Sequence, residues 1–85
     1  NNISILTGYT RETGYFCHPN TDMDVNKLDD AMEKCLKDPL CSMFYDVCGH
    51  SRFRQCKDTA YVENSECGII GDSILYRKGI IYIQY

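Results

Sequence analysis

The chain has no tryptophan, only two prolines and no surplus of positive charge: nine lysines and arginines face twelve aspartates and glutamates, a formal net charge of −3. Without a basic surplus there is no sequence-independent pull towards nucleic acid or an anionic membrane, and neither is expected as a partner. No apolar run approaches the roughly 20 residues of a membrane span, so insertion is not expected. The first residues lack the basic-then-apolar pattern of a secretory leader, which suggests numbering that starts at a mature or excised chain. Repeats, low-complexity tracts and linker-like runs are also missing, and residues 1–85 are expected to form a single domain. A chain of this size buries only roughly 60–65% of its unfolded surface, so its core is a thin source of stability.

What is present is cysteine. Cys17, Cys35, Cys41, Cys48, Cys56 and Cys67 form an even set at irregular spacing in a short chain, the usual sign of a disulfide framework and of a secreted, extracellular protein. Each bridge is worth about 2–4 kcal/mol, mainly by restricting the unfolded chain. Spacing alone leaves their connectivity open.

Around two of these cysteines the pattern is clearest. Leu28, Ala31, Met32, Cys35 and Leu36 recur at the spacing of one helical face. Asn26 can cap the helix start, Asp29 and Asp30 fall in its first turn, and Lys34 and Lys37 in its last, so the charges complement the dipole. Pro39 forbids continuation and biases Asp38 away from helical geometry, bringing Cys41 back towards Cys35, where a disulfide can pin helix to strand. The period then changes to two: Ser42 to Val47 reads as a buried strand, and Arg52 to Cys56 as its partner, with Phe53 on one face and Arg52 and Arg54 on the other.

The flanks read as short pieces. Ile3 to Leu6 and a run from Tyr15 are strands around a polar turn at Thr10 to Thr13. His18 to Val25 is a loop, and Thr59 to Val62 another short strand. Ser73 to Arg77 and Ile80 to Tyr85 form a hairpin about a Lys78-Gly79 turn. One helix against several antiparallel strands makes the fold class α+β. The Ile80 to Tyr85 strand, at an edge, offers a route to self-association.

Candidate chemistry is sparse. Asp22, Asp24, Asn26, Asp30 and Glu33 fall at ligand positions of a calcium loop, but Lys27 stands where that loop needs glycine, and the acids read instead as a helix N-terminus. Cys48, His50 and Cys56 lack zinc-ligand spacing, and no metal or cofactor is expected. Cys17 beside His18 and Cys48 beside His50 do not form nucleophile–base pairs if the cysteines are oxidised, and Asp29 and Asp30 diverge around a helix, so no catalytic residue and no enzymatic activity are expected. Asn2-Ile3-Ser4 is a glycosylation sequon. Tyr61, Tyr82 and Tyr85 are candidates for exposed recognition of a sugar or protein, whereas Tyr45 and Tyr76 are expected to pack on the helix. The distinctive charge feature is a basic stripe of His50, Arg52, Arg54 and Lys57, able to hold a carboxylate or sulfate because arginine offers a planar bidentate fork.

The segment Cys35-Leu-Lys-Asp-Pro-Leu-Cys41-Ser-Met-Phe-Tyr-Asp resembles the core of PAN/apple modules, in which a helix cysteine, five residues and a second cysteine precede an apolar residue, Phe and an aromatic strand. Gly71-Asp-Ser-Ile-Leu-Tyr is similar to that family's closing strand, and Cys17 lies where its N-terminal cysteine would stand; the resemblance runs from about Tyr15 to Lys78. It implies a small disulfide-rich domain with one helix packed on a curved antiparallel sheet, and a Cys35–Cys41 bridge. Apple modules carry another helix cysteine one turn earlier, where this chain has Ala31, so Cys56 must pair elsewhere. The same comparison leaves Cys48 for Cys56, and Cys17 for Cys67. It further implies a secreted, non-enzymatic module recognising an extracellular protein, receptor or glycan. The alternative is a stand-alone secreted signal, a pheromone-like or toxin-like ligand of a cell-surface receptor, consistent with the short acidic chain.

Overall fold

The computed structural model describes residues 3–68 and 71–84, with side chains described for 8–68 and 71–79. The strands are β1 (Ile3–Thr13), β2 (Tyr15–Asp22), β3 (Met43–Asp46), β4 (Phe53–Asn64) and β5 (Ile74–Gln84), with helix α1 (Leu28–Lys37) between β2 and β3. They form a five-stranded sheet in the order β1-β5-β3-β4-β2, and every pair is antiparallel. The protein is thus α+β and disulfide-rich, with a helix set against an antiparallel sheet.

The α1 face follows the 3.6-residue period: Ala31 and Cys35 are buried, and Leu28 and Met32 pack half-buried against the same cluster. Two expectations about the helix need correction. Leu36 is 49% exposed, because the contacting stripe is narrower than the apolar one. The cap residue is Lys27 rather than Asn26 and makes no side-chain cap bond. The other end is capped locally by the Asp38 N–H on the Cys35 carbonyl at 3.3 Å and also held from outside the helix: the Lys78 ammonium, on β5, donates to the carbonyls of Cys35 at 2.9 Å and Asp38 at 3.3 Å.

That contact accounts for the largest departure from the sequence reading. Lys78-Gly79 is not a turn; β5 runs unbroken through it, Gly79 lies opposite Gly8, and Gly79 is absent from the glycines with positive φ. Consequently Ile74 to Arg77 of β5 lie between β1 and β3, whereas the stretch from residue 80 to 84 is paired with β1 alone, and β1 and β2 are the outer strands of the sheet order. The polar stretch Thr10 to Thr13 belongs to β1, paired with Arg77 to Ile74, and the reversal falls at Gly14, whose φ of 85° suits a residue without Cβ. The His18 to Val25 segment is extended as far as Asp22, and the separate strands expected at Arg52 to Cys56 and Thr59 to Val62 are one strand, β4.

Between β2 and β4 the register shifts: His18 faces Tyr61, yet Asn20 faces Cys56, so β4 makes an excursion over residues 57–60 opposite Pro19. Proline has no N–H to give the ladder, so pairing is readily interrupted there. The residues beyond the excursion reach the second side of the sheet. Phe44, Phe53 and Tyr76 pack with Met23 and the helix on one face, and Tyr45, Leu75, Cys17 and Cys56 join Phe16, Ala60 and Val62 on the other. Tyr76 therefore contacts the helix-side cluster, whereas Tyr45, expected there too, is buried on the opposite face.

The disulfides are Cys17–Cys56, Cys35–Cys41 and Cys48–Cys67. The Cys48–Cys56 and Cys17–Cys67 pairs anticipated from the family resemblance are replaced. The β2–β4 register brings Cys17 to Cys56 across the excursion, with Cα atoms 5.7 Å apart. Cys48 instead sits in a 3-10 turn, Val47–Gly49, and its N–H donates to Ser73 Oγ at 3.3 Å, beside the Cys67 loop. Among the described residues no helix is long and apolar enough to cross a membrane.

Candidate binding site

Arg52 and Arg54 reach one concavity of about 270 Å³ together with Asn20, Asp22, Tyr45 and Val47. Strand alternation places Arg54 beside Tyr45, its partner in the β3–β4 register, and Asp22 faces the same arginine from β2. The site is thus assembled where β4 is flanked by both neighbours.

Asn20 is its hub. Its Nδ2 donates to the Cys17 carbonyl at 2.7 Å and to Tyr45 Oη at 3.2 Å, while its Oδ1 accepts from Arg54 Nε at 2.6 Å. Those bonds fix the guanidinium plane through a neutral partner and leave its terminal nitrogens unengaged among the described residues. Burial pushes the Tyr45 hydroxyl pKa up, with Arg54 opposing the rise, so at neutral pH the phenol is protonated. Since its oxygen already accepts from Asn20, its hydrogen is free to be donated.

Charge around the arginines is only partly neutralised. The ion pairs among the described residues are Lys37 with Glu33 and Arg77 with Glu12, and neither involves the basic stripe. Asp22 turns Oδ1 back onto the Asp24 N–H at 2.9 Å. Beneath Arg52, the buried Asp46 carboxylate accepts from the Arg52 backbone N–H at 3.2 Å, and burial raises its pKa.

The structure does not bring the whole stripe together. Lys57 lies on the β4 excursion and lines a separate concavity of about 340 Å³ with Asp38, Gln55 and Asp58. His50 closes the 3-10 turn through its N–H to the Val47 carbonyl and does not line the Arg52–Arg54 concavity. Asp22, Asp24 and Asn26 share a further concavity with Arg52, whose positive charge opposes a cation, and the described residues contain no group of three ligands suited to a metal. Tyr61, on β4 beyond the excursion, is 54% exposed, its ring 6.1 Å from that of His18. The side chain of Tyr82, Tyr85 and the Asn2 sequon lie outside what is described.

Sequence reasoning found Arg52 and Arg54 through alternation but missed Asn20 and Tyr45. No local pattern could join them, because they are 25 residues apart and meet through a non-local hydrogen bond. Comparison with protein-family models, curated proteins and solved structures finds no match in any of the three.

Proposed function

We propose that this protein is a secreted, non-enzymatic recognition module of PAN/apple-like type that binds an extracellular protein or glycan. The observation that carries the reading is the concavity at the β2–β4–β3 junction, where two arginines without a carboxylate ion-pair partner among the described residues stand on a frame tied by three disulfides. The disulfides support an oxidising compartment. The helix-to-strand cysteine pattern supports the family assignment, and Ala31 in place of a helix cysteine is the departure from it.

Glycan and extracellular-protein arrays test the reading. Saturable binding is expected, and the Arg52→Ala/Arg54→Ala double variant should lose it while still melting cooperatively. Full binding by that folded variant would remove the concavity from consideration, and no binding to either array would count against a recognition role. The stand-alone signal is distinguished by the precursor: a leader followed only by these residues indicates a free ligand, and flanking domains indicate a module.

A further inference from the structure

We infer that the concavity between Arg54, Tyr45 and Asp22 is a subsite for a carboxylated sugar of the hexuronic acid type, held by its carboxylate at Arg54 and by a ring hydroxyl at Asp22. The inference rests on the recognition role proposed above and narrows its ligand.

Four observations lead to this class. First, the donors are oriented before any ligand arrives: Asn20 fixes Arg54 through Nε, which directs the outer edge of the guanidinium away from Asn20, and the same amide holds the Tyr45 oxygen. A planar fork presented in this way matches the two oxygens of a carboxylate, and the Tyr45 O–H adds a third donor. Second, Asp22 sits on the same wall with only one oxygen engaged, by the Asp24 N–H. A sulfate brings no donor for the remaining oxygen. A ligand carrying hydroxyls next to its carboxylate supplies a donor.

Third, the concavity measures about 270 Å³, below the ~300–1,000 Å³ typical of drug-sized pockets, so it suits one monosaccharide unit rather than several. Fourth, Val47 gives the wall an apolar portion against which the C–H face of a pyranose can lie. An acidic peptide side chain would satisfy Arg54 but bring no hydroxyl to the free Asp22 oxygen. The Lys57 concavity is less suited, because Asp38 and Asp58 both face its single cation.

The test is an NMR titration of the disulfide-intact chain with glucuronic acid, in parallel with glucose, acetate, inorganic sulfate and an acidic peptide. Glucuronic acid should give saturable shifts at the Arg54 Nε–H and around Asn20 and Tyr45, and should bind at least ~10-fold tighter than glucose or acetate, a charge-assisted hydrogen bond being worth about that factor. Arg54→Lys keeps the charge and loses the fork, so it should weaken glucuronic acid by ~10-fold or more. Asp22→Asn should narrow the preference over acetate, and Lys57→Ala should change nothing. If Arg54→Lys loses the native dispersion of its amide spectrum, Arg54→Gln read beside Asp22→Asn decides the question in its place. Equal binding of acetate or sulfate, tighter binding of the acidic peptide, or shifts confined to the Lys57 face would overturn the inference. A neutral glycan or a protein captured on the arrays through Arg52 and Arg54 would leave the recognition role standing while this inference failed; no ligand in either experiment would remove both.

Discussion

At the scale of single residues, Lys78 shows how one distant side chain reinforces a local cap, in which the Asp38 N–H donates to the Cys35 carbonyl and the Cys41 N–H to the Asp38 carbonyl. Helix ends leave carbonyls without intrahelical partners, and a cation near the C-terminus relieves both the unpaired oxygens and the dipole. Here that cation comes from β5 and bonds the carbonyls of Cys35 and Asp38. Lys78→Met keeps much of the aliphatic stem and removes the ammonium, so it should cost about 1–2 kcal/mol, read from urea unfolding with the disulfides intact. Asp38 gives this corner a pH dependence. Its bonds from the Gln55 amide at 2.9 Å and from the Leu40 N–H at 2.9 Å hold its pKa below the ordinary carboxylate value. A depressed acid contributes stability that is fully present above its unfolded pKa and lost as pH falls through the folded value. Asp46 works in the opposite sense, because burial raises its pKa and its ionised form is the less favoured one in the fold. Thermal melts between pH 2 and 6 should therefore show Asp38→Asn with a weaker loss of stability on acidification than the parent; an identical profile would assign the acid response to other groups.

At the scale of elements, what could be read from the chain depended on how local the determining contacts are. Helix α1 was legible because its period is complete within a short contiguous stretch and its stop signal, Pro39, adjoins it. The β3–β4 pairing was legible because alternation around Phe44 and Phe53 survives in both strands. The remaining boundaries were not, since Lys78-Gly79 has the composition of a turn while the partners of Lys78 lie at the end of a helix 40 and 43 residues earlier. The bridges depended in the same way on the β2–β4 excursion, which no spacing rule anticipates. In a chain-entropy account the bridges rank by the length of chain they close: sequence separations of 39, 19 and 6 correspond to about 4, 3 and 2 kcal/mol for Cys17–Cys56, Cys48–Cys67 and Cys35–Cys41. Paired cysteine-to-alanine variants, compared by denaturant midpoint, should follow that order. A Cys35–Cys41 removal as damaging as that of Cys17–Cys56 would show that packing in the helix-side cluster outweighs loop closure, since Cys35 and Cys41 are both buried there.

At the scale of the molecule, the helix-side and opposite clusters divide an already small apolar interior. Phe44 is the centre of the first, stacked on Tyr76 with ring centroids 5.1 Å apart and edge-on to Tyr9 and Phe53 at 5.5 and 6.0 Å. Phe44→Ala should cost about 3–5 kcal/mol, a large share of the 5–15 kcal/mol typical of a folded domain. With interior packing so divided, the three covalent links carry much of the burden. Full reduction in the absence of denaturant is expected to abolish both the near-ultraviolet circular dichroism of the packed tyrosines and the cooperative melt. A reduced protein that still melted cooperatively would show that the two clusters suffice alone.

The excursion of β4 opposite Pro19 is flanked by the Asn20–Cys56 and His18–Tyr61 pairs and spanned by the Cys17–Cys56 bridge. Mechanically it behaves as an expansion joint, because chain added between those fixed points is taken up outside the ladder and need not alter the register on either side. Lys57, Asp58 and Thr59 are exposed there, so added residues have solvent to enter. A short Gly-Ser insertion between Asp58 and Thr59 should therefore leave the melting temperature nearly unchanged, whereas the same insertion between Arg54 and Gln55 should unfold the protein. The joint is accordingly a position at which the chain could lengthen, or accept a grafted loop, without disturbing the Arg54 concavity next to it.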